Sequence, residues 1–494
     1  MPQPKTSYKD IARSSGVIAV VQVIKIVFGL IQNKVLAVIV GTQGFGIWGM
    51  YNTYVEMVSS FSSLGLDSSG VRQIARHADD EISTAKCIRI FKRSLLYISL
   101  FATLLSMVLS KQVSRSLFDT PDYYPGVLLV SLVILCNGLS RGNTAILNGL
   151  RHIKDLAVSQ IIGAVIGAIS AIASVLLLGT AGIPLFLIVI GFTAVLSSGW
   201  YVRRLRIPKI KPSRQEIQQE LKGLLGMGLG FSIAGAMTAL ATYLSRVYLQ
   251  SAFDMSAVGI YQAGWTISNV YIGTILTAMG VDFMPRLMKV VGDRPAVNKM
   301  VTEQLEFGVL FSSIGVLCIL VFSPLVLRLF YSAEFMAGSP IIRWQVLGVA
   351  MRIFGFVFGY VVMAHNKPLL FVISQSCLAF ADYLLLILFS KWLGFEGLGV
   401  NYFVSYLLYI LIMFPLCHKI FGISVSESLT VITAIEWIAI LVVWFLTFFL
   451  QGMWGMFVGS LCIAVYVIWM YRASKHFMHI DPISFIKAKL RHTE

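Results

Sequence analysis

The chain has 494 residues, of which 57% are hydrophobic and 13% charged, with a mean hydropathy of +0.81. Soluble domains carry about 25% charged residues, so a water-soluble fold is excluded and membrane embedding is the first inference. The formal net charge of +16 would suggest nucleic acid in a soluble protein, but here Lys and Arg sit mainly in short loops between apolar segments, so no nucleic-acid partner is expected.

Residues 1–15 are polar and basic, and no small-residue cleavage site follows the first apolar run, which reads as a retained helix. A membrane helix needs about 20 mostly apolar residues. Fourteen segments qualify: 16–40, 45–66, 94–110, 125–147, 157–178, 182–202, 223–245, 258–281, 307–328, 340–363, 369–390, 395–417, 430–450 and 453–472. The expected fold is an all-α polytopic membrane protein. The loops 72–93, 203–222 and 286–305 and the C-terminal tail are basic, and the opposite loops, 111–124 among them, are not. Roughly 29 Lys and Arg fall on one side and about 5 on the other, which predicts both termini in the cytoplasm.

The chain repeats itself. Gly46-Ile47 after the first segment matches Gly259-Ile260 after the seventh, and Lys154 with Ser159-Gln160 matches Lys367 with Ser374-Gln375. The repeat predicts two pseudo-symmetric six-helix bundles, residues 1–210 and 211–420, related by an axis along the membrane normal. Residues 421–494 add helices thirteen and fourteen and a basic tail.

Polar residues at helical spacing locate an expected aqueous cavity. Segment one places Gln22, Lys25, Gly29 and Gln32 along one side, and segment two Asn52, Glu56, Ser59 and Ser63. Segment four carries Asn137, Arg141, Thr144 and Asn148, and segment eight Gln262, Thr266, Asn269 and Gly273. Arg141 and Arg352 lie 211 residues apart, at nearly equivalent repeat positions. With Lys25 they make the cavity cationic and its substrate an anion, for which Arg supplies bidentate phosphate contacts. Glu56 reads either as an ion-pair partner of Lys25 or Arg141 or as a coupling site. Asp382 is a coupling carboxylate or, the preferred reading, a structural acid. Arg246 and Arg343 are expected to snorkel to the interface, with a guard at the cavity mouth as the other reading of Arg246. Gly163, Gly167, Ser170 and Ser174 are expected to serve helix packing.

Ser213 with Glu216 forms a capping box for a short helix before segment seven. The tail beyond Pro482 has an amphipathic pattern suited to anionic inner-leaflet lipids. The isolated cysteines, Cys87, Cys136, Cys318, Cys377, Cys417 and Cys462, suggest neither disulfides nor a metal site. Nucleotide-binding and hydrolase motifs are missing from the sequence, so no catalytic residue is proposed and no enzyme expected.

The stretch Val40-Gly41-Thr42-Gln43-Gly44-Phe45-Gly46-Ile47 resembles the glycine-rich turn between the first two helices of the polysaccharide flippases. Leu64-Gly65-Leu66 through Val71-Arg72, Leu147-Asn148-Gly149-Leu150-Arg151, Val258-Gly259-Ile260-Tyr261-Gln262-Ala263, Phe283-Met284-Pro285-Arg286-Leu287 and Leu329-Phe330 with Glu334-Phe335 are similar to further signatures in the same order. The matches run along about residues 40–380. That family belongs to the multidrug/oligosaccharidyl-lipid/polysaccharide exporter superfamily. The resemblance implies a flippase that carries undecaprenyl-pyrophosphate-linked repeat units, of O-antigen or a similar polysaccharide, to the periplasmic leaflet of a bacterial inner membrane by alternating access. It implies substrate contacts at Lys25, Arg141 and Arg352, lipid-tail guidance by the last two helices, and the polysaccharide polymerase machinery as a partner. No cofactor is expected, and H⁺, Na⁺ and the membrane potential stay open as the driving force, with H⁺ or Na⁺ as the candidate coupling ion. A cation-coupled small-molecule exporter and a lipid II flippase of the same superfamily are the alternatives.

Overall fold

The computed structural model describes residues 8–63, 65–208, 210–450 and 452–477, without the side chains of 8–19, 225–231, 270–272, 274–275, 277–278 and 281–282. The amphipathic tail beyond Pro482 lies outside the described residues. In hydrocarbon every backbone polar group must be satisfied within its own segment, so apolar windows of this length wind into helices. No strand occurs among the described residues.

The helices are α1 (Tyr8–Ser63), α2 (Leu66–Arg76), α3 (Glu81–Val108), α4 (Ser110–Phe118), α5 (Tyr124–Gly149), α6 (Ile153–Leu178), α7 (Gly182–Arg204) and α8 (Arg214–Ala252). They continue as α9 (Met255–Trp265), a π-helical stretch (Thr266–Tyr271), α10 (Ile272–Val290), α11 (Arg294–Phe330), α12 (Ser339–Ala364), α13 (Pro368–Leu393), α14 (Gly397–Phe421), α15 (Glu427–Phe449) and α16 (Gly452–Phe477). Nine helical stretches among the described residues are long and apolar enough to cross a membrane. Three of the nine break internally, at Gly41, Gly179 and Gly394, each with positive φ. The long α8 and the run α9–α10 occupy the seventh and eighth expected segments.

Several boundaries differ from expectation, for one reason. The basic stretch 72–93 is not a loop: α2 covers its start, and α3 begins at Glu81, where the Asp80 side chain caps the Ile82 amide. The Ser213–Glu216 capping box is present, but it opens α8 itself rather than a separate short helix. Residues 286–305 are likewise almost wholly helical. Amphipathic first turns extend the membrane helices into water, where hydropathy no longer marks them. Lys86 donates to Glu216 at 2.7 Å and Gln73 to Glu220 at 2.9 Å, which ties the start of α8 to α3 and α2. The Lys86 bond, helped by the Ser213 amide, holds the Glu216 carboxyl below the usual carboxylate range.

By packing, the chain divides into two units. The first runs through Gln262 and includes Phe330–Glu334; the second comprises Ala263–Leu329 and the residues from Phe335 onward. In the first unit α6 packs on α7 and α1, and α5 on α7 and α3. The strap Phe330–Glu334 is held by Lys34, which donates to the Tyr331 carbonyl at 2.5 Å, and by the Thr42 amide, 3.4 Å from Glu334. In the second unit α14 packs on α12 and α13.

The internal repeat is visible in backbone detail. Gly179 (φ 57, ψ −136) and Gly394 (φ 59, ψ −132) each end a helix, start a single 3₁₀ turn and precede a glycine that begins the next helix. The repeat-related Gly46 and Gly259 meet each other. A Cβ on Gly46 would overlap the Met255 carbonyl and lie 3.1 Å from the Gly259 amide, and one on Gly259 would overlap the Thr42 carbonyl. Only glycine permits that approach of α1 and α9.

Two predictions follow from these helices. Gly46→Ala destabilises the protein by about 1–3 kcal/mol through overpacking, read as a lowered unfolding temperature in detergent; an unchanged value contradicts the contact. In a cysteine-free background, an impermeant thiol reagent labels Gln112→Cys in intact cells and spares Lys211→Cys, both exposed positions. Labelling at 211 overturns the expected orientation.

Candidate functional site

Lys25 lies in the first unit, within the polar stripe of α1. With Gly29 and Gln32 of α1, Ser140 and Thr144 of α5 and Gly163 of α6 it faces a cavity of about 360 Å³. Ser159, Gln160 and Ser198 add polar groups to the wall, and Gly167, Ile190 and Ala194 supply apolar surface. Among the described residues nothing lies within 4 Å of a Cβ added to Gly29 or Gly163. Gly163 therefore opens into the cavity instead of packing against a helix, which corrects the expectation for this residue. Lys25 makes no ion pair among the described residues. Amides, hydroxyls and one ammonium can hold a hydroxylated ligand that carries a negative charge.

Arg141 is one turn away from this wall on α5. Its Nη2 lies 3.4 Å from Glu56 Oε1 and its Nη1 3.9 Å from Asp67 Oδ2. Glu56 therefore meets Arg141 rather than Lys25. The Glu56 side chain is 63% exposed, so this is a loose pair, worth little in stability yet sufficient to balance the charge. Asp67, in the first turn of α2, was missed by sequence reading; it is a solvated acid in a polar stretch until the fold brings it to Arg141.

In the second unit Arg352 occupies the related place on α12. Its Nη1 donates to Asn269 Oδ1 at 2.9 Å. The Tyr402 hydroxyl donates to the same oxygen, and Tyr402 and Tyr406 both lie close to the guanidinium. Asn269 stands in the π-helical stretch, whose wider turn displaces this part of the segment from ordinary α registration. Asn269 is the repeat mate of Glu56. The repeat thus preserves the contact between the two positions and changes its chemistry: a carboxylate faces Arg141 and a neutral amide faces Arg352. No carboxylate pairs with Arg352 among the described residues, so its charge remains net positive.

The other polar residues go to separate places. Asn52 bonds the Trp48 carbonyl one turn back, Asn137 is half-buried and Asn148 is exposed at the end of α5. Gln22 is half-buried on α1. Gln262 accepts from Arg246 at 2.6 Å. Arg246 is wholly buried, stacks over Tyr261 at 4.6 Å and does not snorkel. Arg343 reaches the Thr447 carbonyl at 3.4 Å. Asp382 accepts from Asn401 at 2.7 Å and Ser405 at 3.1 Å, which joins α13 to α14.

Comparison with known proteins places this geometry. A family profile described as "Polysaccharide biosynthesis protein" matches residues 11–291. The Lipid III flippases of Escherichia coli (strain K12) and Shigella flexneri are each 25% identical over 425 residues, covering 83% of this chain and 98% of theirs. The structure of the lipid II flippase MurJ in an inward closed conformation aligns with a TM-score of 0.73 at 14% identity, covering 93% of this chain and 99% of that one. An inward-facing multidrug resistance MATE family transporter of the MOP superfamily aligns at 0.68 and 14%, covering 81% of this chain and 94% of that one. These structures share the fold.

The open space at Gly163 yields a prediction. Gly163→Ala, mid-helix and meeting nothing, stabilises the protein by about 0.5–1 kcal/mol. An unfolding temperature in detergent below that of the wild type would show that the cavity wall is packed after all.

Proposed function

The chain belongs to the polysaccharide biosynthesis protein family, and on that premise we propose that it flips a lipid-linked glycan across the bacterial inner membrane. The proposed substrate is an undecaprenyl-pyrophosphate-linked repeat unit, of O-antigen or a similar surface polysaccharide. It moves from the cytoplasmic to the periplasmic leaflet by alternating access and passes to the polymerase machinery. The step breaks no covalent bond.

The observation that carries this reading is the Arg352 cluster. A guanidinium among apolar helices, held by an amide and phenols, retains its charge and can accept an anion with its fork geometry. Lys25, in a cavity walled by amides and hydroxyls, supplies a second cation. Arg141 contributes a third whose charge Glu56 and Asp67 already balance. A pyrophosphate head needs such cations, and the glycan needs the polar wall. The Lipid III flippase relatives, matched along nearly their full length, support the same class of cargo. A cation-coupled small-molecule exporter would need acids where this chain presents Lys25 and Arg352. A lipid II flippase would share the pyrophosphate chemistry and differ in the glycan.

The test is a deletion strain complemented with variants, with lipid-linked glycan measured in each leaflet. Loss of the protein traps the glycan on the cytoplasmic side. Arg352→Ala reduces transport by roughly tenfold or more, equivalent to about 1.4 kcal/mol of transition-state stabilisation, with protein still in the membrane. Arg352→Lys rescues in part, because it keeps the charge and loses the fork. Normal distribution of every lipid-linked glycan in the deletion strain would refute the reading.

A further inference from the structure

The proposed transport leaves unused the most enclosed acid among the described residues. Glu436 is fully buried in the middle of α15. It makes no ion pair among the described residues. Its Oε1 lies 2.5 Å from the Ser313 hydroxyl of α11, and its Oε2 has no hydrogen-bond partner. Tyr466 of α16, 3% exposed, lies beside both residues.

The hydrogens around Ser313 decide the charge of Glu436. Ser313 Oγ sits in hydrogen-bonding contact with two oxygens, the Val309 carbonyl and Glu436 Oε1. The carbonyl has no hydrogen to give, and a serine hydroxyl has only one. If Ser313 donates to Val309, the contact with Glu436 needs a hydrogen from the carboxyl. If Ser313 donates to Glu436, its contact with Val309 sets two acceptors against each other. A full two-centre bond at each contact requires Glu436 to be a carboxylic acid that donates from Oε1. Oε2 is then a carbonyl-type oxygen, and the Tyr466 hydroxyl lies on the Ser313 side.

A second acid on the same seam closes differently. Glu306 of α11, two turns before Ser313, is reached by Ser428 of α15 at 2.5 Å. Ser428 in turn lies 3.0 Å from Ser426, which accepts from the Leu429 amide. Ser426 can donate to Ser428 and Ser428 to Glu306, so this chain is complete with an ionised carboxylate. The contact of α11 with α15 thus holds two acids, Glu306 and Glu436, each met by a serine of the opposite helix. Among the described residues the other contacts to α15 bring no titratable group to Glu436. On α14 Phe403 meets Trp437, on α12 Trp344 meets Trp444, and Arg343 meets the helix only at Thr447, eleven residues further on.

We propose that Glu436 is a proton-binding site of the transporter where α15 meets α11, and that flipping is coupled to its deprotonation and reprotonation. The proton leaves and returns to a carboxyl oxygen of Glu436 beside the Ser313 hydroxyl, and no bond in the substrate changes. Loss of the proton leaves a carboxylate without a cation in an apolar layer, which disfavours the present packing of α15 on α11. The helix α15 thereby becomes a responsive element. The coupling rests on the transport reading, whereas the protonation rests on geometry alone.

Two measurements on the full-length protein test this. Infrared spectra of the purified protein should show a protonated-carboxyl band at neutral pH that disappears in Glu436→Gln; this needs no substrate. In proteoliposomes, an imposed proton gradient should stimulate wild-type flipping, and Glu436→Gln, which mimics the neutral acid, should flip without that stimulation. Absence of a Glu436-dependent band, or stimulation intact in Glu436→Gln, overturns the proposal. If Glu436→Gln does not fold, Ser313→Ala should shift the band and displace the pH optimum of flipping, and an unshifted band and optimum overturn it. Wild-type flipping indifferent to the gradient sinks the coupling and spares the function, whereas a wild type that flips no lipid-linked glycan sinks the function.

Discussion

A guanidinium placed among membrane helices must be matched, and what matches it decides what it can bind. Arg141 has Glu56 at 3.4 Å and Asp67 at 3.9 Å. Arg352 has an amide and two tyrosines. The first arrangement balances the charge and leaves it partly open to water. The second positions the charge without cancelling it, because an amide oxygen accepts a hydrogen bond while carrying no net charge. An internal repeat places the two arginines at related sites and gives them partners of different charge: one is charge-balanced, and the other has no paired carboxylate among the described residues. The difference arises at Glu56 and its mate Asn269, and at Asp67, a second acid beside Arg141 alone.

The all-α membrane fold was legible because its cause is local. A window of about 20 apolar residues admits only a helix in lipid, and nine such stretches stand among the described residues. Helix ends on the basic side were not legible, since Glu81 and Arg214 begin amphipathic turns whose hydropathy is that of a loop. The Gly46–Gly259 repeat was visible and became a physical contact. The glycine pairs Gly179–Gly182 and Gly394–Gly397 carried the same signal 215 residues apart and went unread. Of the candidate site, depth and charge singled out Lys25, Arg141 and Arg352, but partners depend on tertiary approach. Neither Asp67 nor Tyr402 stands out in the sequence, and each gains its role only when the fold brings it to an arginine. The π-helical stretch around Asn269 has no sequence mark at all.

Burial of acids follows a related rule. Asp382 receives an amide and a hydroxyl and can stay ionised where α13 meets α14. Glu306 ends a chain of serine donors. Glu436 is offered only a hydroxyl shared with a carbonyl. Three carboxylates in one unit thus have three donor sets, and Glu436 alone of the three has only a hydroxyl shared with a carbonyl to draw on. This last site is one of several contacts that join α15 to the body of its unit.

The central claim is that Arg352 works because its partner is uncharged. Asn269→Asp tests it most directly: the two side chains have nearly the same shape, and the change places one negative charge at the oxygen 2.9 Å from the guanidinium. The measurement is the flipping rate of lipid-linked glycan in proteoliposomes, with the unfolding temperature recorded in parallel. The account predicts a folded protein, stabilised by the new ion pair, that flips its substrate far more slowly than wild type. A folded Asn269→Asp protein flipping at the wild-type rate would contradict it.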